Sequence, residues 1–166
     1  MNLDLLNKKA LVCGSTQGLG LASAIELSLL GADVTLLSRD AEKLKIALEK
    51  LDHSKNQKHQ YLVADFQKPL QVEAVINEFI QKGNVVNILV NNTGGPQGGP
   101  ALEAKTDEFI NAFQSHLICN QILAQSVFPT MKESGYGRII NIISISVKEP
   151  LAGLAVSNTV RGAVAS

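Results

Sequence analysis

Lys9-Ala10-Leu11-Val12-Cys13-Gly14-Ser15-Thr16-Gln17-Gly18-Leu19-Gly20 is the stretch on which the reading of this chain turns. Lys9 to Val12 is short and apolar, as a buried strand requires. The next eight residues place glycines at spacings of four and two, and Leu21 to Leu30 then reads as a helix closed by Gly31. A Gly-rich turn between a strand and a helix is the setting of a dinucleotide-binding turn. Gly14 suits a tight turn, Gly18 a close approach of backbone to a pyrophosphate, and Gly20 close helix–sheet packing. The helix start would offer its free N–H groups and positive dipole end to phosphate.

Outward from that turn, apolar runs alternate with amphipathic ones. Asp33–Ser38, His59–Ala64, Val85–Asn91 and Arg138–Ser144 read as further strands. Asp40 is a natural N-cap for a helix over Ala41–Leu51, and Pro69 opens a helix over Pro69–Gln81 that stops at Gly83. A Gly/Pro loop, Gly94–Pro100, precedes two helical stretches, the second from about Phe109 to Lys132, and Ala152–Ser166 begins a sixth helix. Short, continuously apolar strands separated by helices specify an α/β, Rossmann-type, doubly wound parallel sheet. Right-handed crossovers predict strand order 3-2-1-4-5.

Composition narrows the function. The chain has 166 residues, the length of one domain, and its 15 Lys+Arg balance 15 Asp+Glu, which argues against a nucleic-acid partner. No apolar run approaches the roughly 18 residues of a membrane span, and Met1-Asn2-Leu3-Asp4 lacks the basic start of a secretory signal. Cys13 and Cys119 are too few for a disulfide scaffold and suit reduced cytoplasmic thiols, with Cys13 read as a packed small residue. A cytoplasmic protein is expected.

Several motifs in order resemble the short-chain dehydrogenase/reductase family. They are the turn Gly14-x-x-x-Gly18-x-Gly20, Ala64-Asp65-Phe66 after strand three, Asn91-Asn92-Thr93-Gly94 after strand four, and Gly137-Arg138-Ile139-Ile140-Asn141-Ile142-Ile143-Ser144 along strand five. The resemblance implies a nicotinamide cofactor held by Gly14, Ser15, Thr16, Gln17, Gly18, Leu19 and Gly20, with Asp65 and Phe66 near the adenine and Asn92, Thr93 and Gly94 near the ribose. An acidic residue after strand two would select NAD(H). Ser38-Arg39 stand there instead, and the Arg39 fork suits a 2′-phosphate, so NADP(H) is expected over NAD(H).

The family's chemistry is hydride transfer between nicotinamide and a carbonyl or alcohol, with a Tyr-x-x-x-Lys pair, a Ser and an Asn arranged around the reacting oxygen. Ser144 matches the Ser. Ser157 stands at the Tyr position, Arg161 at the Lys position and His116 at the Asn position. Tyr61 and Tyr136 lie elsewhere by motif. A Ser hydroxyl is a far weaker acid than a phenol, Arg161 keeps a cation that does not deprotonate, and His116, with an unperturbed pKa of about 6.5, is the group suited to proton transfer near neutrality. Gly94-Gly95-Pro96 and Ser157-Asn158-x-x-Arg161 are similar to a divergent branch of the family assigned as 3-oxoacyl-ACP reductases.

Two functions follow as expectations. One is an NADP(H)-dependent carbonyl/alcohol oxidoreductase acting on a small molecule or an acyl thioester. The other is a catalytically silent nucleotide-binding sensor on the same fold. The resemblance implies a homo-dimer or homo-tetramer, and the apolar run Leu117–Phe128 is compatible with that interface or with packing on the sheet. It also implies more chain. Residues 1–166 are expected to be one dinucleotide-binding domain truncated within its sixth helix, with strand five left at a sheet edge.

Overall fold

A computed structural model describes residues 3–166; the Met1-Asn2 start of the N-terminal reading lies outside them. Five parallel strands form one sheet in the order β3-β2-β1-β4-β5. They are β1 (Lys9–Cys13), β2 (Asp33–Ser38), β3 (Gln60–Val63), β4 (Ile88–Asn91) and β5 (Arg138–Asn141). The helices are α1 (Gly18–Leu29), α2 (Ala41–Leu48), α3 (Pro69–Gln81), α4 (Thr106–Phe113), α5 (Cys119–Glu133) and α6 (Ala155–Ala165). The expected doubly wound sheet and its strand order are therefore present.

The two-residue period of β1 splits the core between the sheet faces. Leu11 and Cys13 pack with Val72, Ile76 and Phe79 of α3 and with Cys119, Leu123 and Val127 of α5. Ala10 and Val12 pack on the opposite face with Ala24 of α1 and Leu44 and Ala47 of α2. Leu123 and Val127 are fully buried, so most of the Leu117–Phe128 run serves the sheet, while Ile118 and Phe128 remain exposed. Every residue of β5, at the sheet edge, is exposed. Among the described residues no helix is long and apolar enough to cross a membrane.

Several boundaries shift for identifiable reasons. α1 begins at Gly18 rather than Leu21 because Leu21 N–H already donates to the Gln17 carbonyl at 3.2 Å, so the Gly-rich turn is also the first helical turn. α2 ends at Leu48; Leu51 stays in the core through a tighter turn in which its N–H donates to Leu48 O. β4 starts three residues later than expected, although Asn87 N–H donates to Lys9 O at 2.8 Å. The Asn87 side chain, not its carbonyl, accepts from Lys9 N–H at 3.0 Å, and the regular ladder gives way there. Of the two helical stretches after the Gly/Pro loop, only turns occupy 101–103. The long run instead begins at Thr106 and passes through a π-helical turn, Gln114–Ile118, between α4 and α5. β5 ends at Asn141, three residues short of Ser144, and α6 starts at Ala155.

Candidate active site

Strand order reverses between β1 and β4, and the crevice outside the carboxyl ends of the strands at such a switch point is where α/β sheets bind ligands. A cavity of about 310 Å³ lies there. Gly14, Thr16 and Gln17 line it after β1, Ser38 and Arg39 after β2, and Ala64 to Gln67 after β3. Thr93 to Gly95 after β4 and Ser115 of the π-turn complete the wall.

The Gly-rich turn is shaped by contacts within the protein as much as by any ligand. Gly14 and Gly18 both have φ of +56°, which favours glycine. A Cβ on Gly20 would stand 2.3 Å from the Gly14 carbonyl oxygen and 2.6 Å from Asn92 Nδ2, and one on Gly14 would stand 2.7 Å from the Asn92 carbonyl oxygen. Asn92 straps this junction, its Nδ2 donating to the carbonyls of Cys13 and Gly14 at 3.2 Å each. Its amide thus holds the turn that forms the cavity wall. Ser15 is buried, and its Oγ accepts the Leu37 N–H at 3.1 Å, tying the turn to β2. Leu19, 66% exposed, lies on a different groove with Ile140 and Ile142. No side chain caps α1, so its first-turn N–H groups have no side-chain acceptor.

Arg39 is exposed and forms no salt bridge among the described residues. The neighbouring Asp40 is committed to α2: its Oδ1 accepts the Lys43 N–H at 3.1 Å, and its Oδ2 lies 3.7 Å from Lys43 Nζ. The Lys43 N–H is the main reason its carboxyl titrates below the usual range. Asp65 is held by two local bonds, Gln67 N–H to its Oδ1 and its own N–H to Gln71 Oε1, both 3.0 Å. Behind it the Cys119 thiol donates to Phe66 O at 3.2 Å and is pushed up to about 11 by burial and then by the Asp65 charge. Cys13 is fully buried and its thiol is pushed well above its usual range by burial, as a packed small residue would be.

Of the motif-matched residues beyond β4, His116 and Arg161 are brought together and the two serines are not. His116, on the π-turn, is 3% exposed. Burial first, and the Arg161 charge second, push its imidazole down to about 4, against a hydrogen bond to the Gly94 backbone. Arg161 reaches back from α6, its Nη1 donating to Ile142 O at 2.6 Å, and burial lowers its pKa. The two side chains meet with Asn91, Asn92, Thr93 and Asn120 around a small space of about 10 Å³, close to the volume of a single water. Ser144 caps the short 3₁₀ turn Ile145–Val147, its Oγ accepting Ser146 N–H at 3.2 Å and lying 2.9 Å from Ser146 Oγ. Ser157 is half-buried one turn before Arg161 on α6. Neither serine lines the large cavity or the small space.

Two residues of this region were given no role by the motifs, although Asn91 stands within one of them. Asn91 is buried; its Nδ2 donates to Asn141 Oδ1 at 2.8 Å, and its Oδ1 has no partner. Ser115 closes the large cavity. A pair of asparagines directly after an apolar strand was the signal available for Asn91. Neither tyrosine lines either space: Tyr61 packs on the α1/α2 face, and Tyr136 lies between Lys8 Nζ and the Arg138 guanidinium, 4.4 and 4.8 Å from its ring centre.

A family profile described as short chain dehydrogenase matches residues 8–166. A Streptomyces violaceoruber protein, assigned as a candidate ketoacyl reductase of the granaticin polyketide synthase, is 33% identical over 142 residues, 84% of this chain and 52% of its own. The chain thus spans about half the length of that relative. L-sorbose reductase from Gluconobacter frateurii, solved with NADPH and L-sorbose, superposes with a TM-score of 0.91 at 27% identity, covering 99% of this chain and 62% of that one. A gluconate 5-dehydrogenase from Burkholderia cenocepacia, solved with NADP and tartrate, gives a TM-score of 0.87 at 29% identity, with 98% and 64% coverage.

Proposed function

The chain belongs to the short-chain dehydrogenase family, and from that premise we propose that the full-length protein is an NADP(H)-dependent oxidoreductase that interconverts a carbonyl and an alcohol on a small molecule. The observation that carries the reading is the cavity at the switch point, with an unpaired Arg39 at one end and the His116–Arg161 cluster beside the other. The residues present fit the cofactor. Backbone of the Gly14–Gly20 turn and the uncapped start of α1 receive the pyrophosphate, Arg39 and Ser38 the 2′-phosphate, Asp65 and Phe66 border the adenine, and Thr93 and Gly94 the ribose. The solved relatives that bind NADPH or NADP support the same choice.

When bound, the nicotinamide supplies or accepts the hydride. The chain's own part is to hold the reacting oxygen and manage a proton. By motif Ser144 and Ser157 are the hydroxyls assigned to that oxygen, although neither borders the cavity in this structure, and Arg161 supplies a fixed cation on the α6 side. His116, neutral at pH 7, serves as a hydrogen-bond relay between Gly94 and the space it shares with Arg161. The relatives point to two carbonyl classes, 3-oxoacyl thioesters and polyhydroxy compounds. The exposed Ile118 and Phe128 support association through the long helix as a dimer or tetramer, and the free, buried cysteines support a cytoplasmic setting.

A second reading, a nucleotide-binding protein without turnover, is favoured by one observation: neither tyrosine is near the cleft. The two separate in one experiment on the full-length protein. NADPH binding is followed by its fluorescence, and turnover is then assayed with ketoses and 3-oxoacyl thioesters. Binding with turnover supports the enzyme. Binding without turnover of any carbonyl leaves the silent reading standing.

A further inference from the structure

Arg161 is a cation carried into the protein without a counter-charge. Its Nη1 is spent on the Ile142 carbonyl, and its Nε is buried with no hydrogen-bond partner. The groups that share its small space are Asn91, Asn92, Thr93, His116 and Asn120, and none of them is acidic. The salt bridges among the described residues are three exposed Lys–Asp/Glu pairs on helices, none involving Arg161. Its own charge disfavours a second cation at His116. A desolvated charge left unpaired is among the costlier arrangements a fold can hold, and a partner of opposite sign relieves it.

The third nitrogen shows where such a partner would come from. Nη2 lies 4.0 Å from the point a Cβ on Gly95 would occupy, and apart from Gly95 and its two chain neighbours no other residue comes within 4 Å of that point. Gly95 forms part of the wall of the large cavity, as does Gly94, whose own Cβ position is open as well. Nη2 thus lies next to the Gly94–Gly95 segment of the cavity wall, a stretch without side chains, and has no hydrogen-bond partner among the described residues. Of the fork, Nη1 is fixed by the fold, Nε is buried without a partner and Nη2 is left to an incoming group.

We propose that Arg161 recognises a carboxylate on the substrate, so that the carbonyl compound is a free oxo acid, or the matching hydroxy acid, rather than a neutral ketone or a thioester. This rests on the oxidoreductase reading above and names its substrate class. A thioester has no charge beside its reacting carbonyl to offer Nη2, whereas a carboxylate makes a charge-assisted hydrogen bond there. The same anion would offset the Arg161 charge that, after burial, disfavours a proton on His116.

The test uses the full-length protein loaded with NADPH, with acetoacetate and its methyl ester as probes. Binding is read from the change in NADPH fluorescence and from the melting temperature. Acetoacetate is expected to bind saturably and at least about tenfold more tightly than the ester, a difference of about 1.4 kcal/mol. R161M is expected to remove that preference and R161K to keep part of it. Equal affinity of acid and ester for the wild type overturns the proposal, as does R161M with the preference intact. Should R161M fail to melt cooperatively, R161K and the acid–ester comparison in the wild type still decide. Carboxylate preference without turnover removes the oxidoreductase reading but leaves the anion site. Turnover of ester and acid alike does the reverse.

Discussion

The two sides of the switch point are built on different principles. On the β1–β2–β3 side the cavity wall is largely backbone: the Gly14–Gly20 turn, the uncapped start of α1, and short loops pinned by Ser15, Asp40, Asn92 and Gln71. On the β4–β5–α6 side a separate small space beside the cavity is bordered by the polar side chains of His116, Arg161, Asn91 and Asn120. Among the described residues, the three buried side-chain atoms without partners, Asn91 Oδ1, Asn158 Oδ1 and Arg161 Nε, all belong to this second side. Unsatisfied buried groups are rare in folded proteins and concentrate where a ligand or a chemical step completes them. A backbone site is robust to side-chain change, which is why its motif survives in recognisable form. A side-chain site can be rewritten residue by residue while the scaffold stays the same.

The largest expected effect tests how far the first side depends on its backbone. Alanine normally stabilises a helix relative to glycine by about 1 kcal/mol. Gly20→Ala reverses that, because the new Cβ would stand 2.3 Å from a carbonyl oxygen and 2.6 Å from Asn92 Nδ2. A loss of about 3 kcal/mol is expected in urea unfolding, together with loss of NADPH binding. Gly18→Ala meets no atom within 4 Å and bears only its positive φ, which costs about 1–2 kcal/mol. Equal losses at the two positions would show that packing against Asn92 is not what fixes the turn.

Next in size is Arg39→Ala. Arg39 is exposed and unpaired, so the substitution should leave the melting temperature within about 1 °C of wild type, as a surface change does. Its effect should fall on the cofactor, weakening NADPH by about 10- to 100-fold, the worth of a charge-assisted bond, and NADH by less than about threefold. A titration of both cofactors measures it. Equal weakening would detach Arg39 from the 2′-phosphate and move cofactor choice to another part of the wall.

What was legible in the sequence follows the same division. β2 over Asp33–Ser38 and α3 over Pro69–Gln81 are read to the residue, because local chemistry marks their ends: Gly31 and Gly83 adopt positive φ, Asp40 caps the next helix and Pro69 opens α3. The Gly-rich segment between β1 and α1 was legible as a turn. That two of its glycines answer to Asn92 was not, since the contact joins β1 to β4. The π-turn Gln114–Ile118 leaves no mark in composition, because it differs from the flanking helix in backbone hydrogen bonding and not in residue type. The position of His116 was legible by motif, but its state was not: its ordinary pKa near 6.5 is overridden by burial and by Arg161, which only the fold brings beside it.

His116 supplies the smallest of these effects and the sharpest probe of the second side. Its pKa is lowered to about 4 in the fold against about 6.5 in an unfolded chain, so between those values the unfolded state binds more protons. Stability contributed by the neutral ring is therefore complete above about pH 6.5 and is lost as pH falls toward 4, with a slope of at most about 1.4 kcal/mol per pH unit. His116→Gln removes that titration. Subtracting its unfolding free energies from wild type across pH 4 to 7 should leave a difference that declines toward acid and is flat above pH 6.5. A flat difference throughout would mean that His116 is not held neutral. A slope that shrinks when acetoacetate is present would tie the ring to the charge at Arg161, because an anion there removes one of the two causes that depress it.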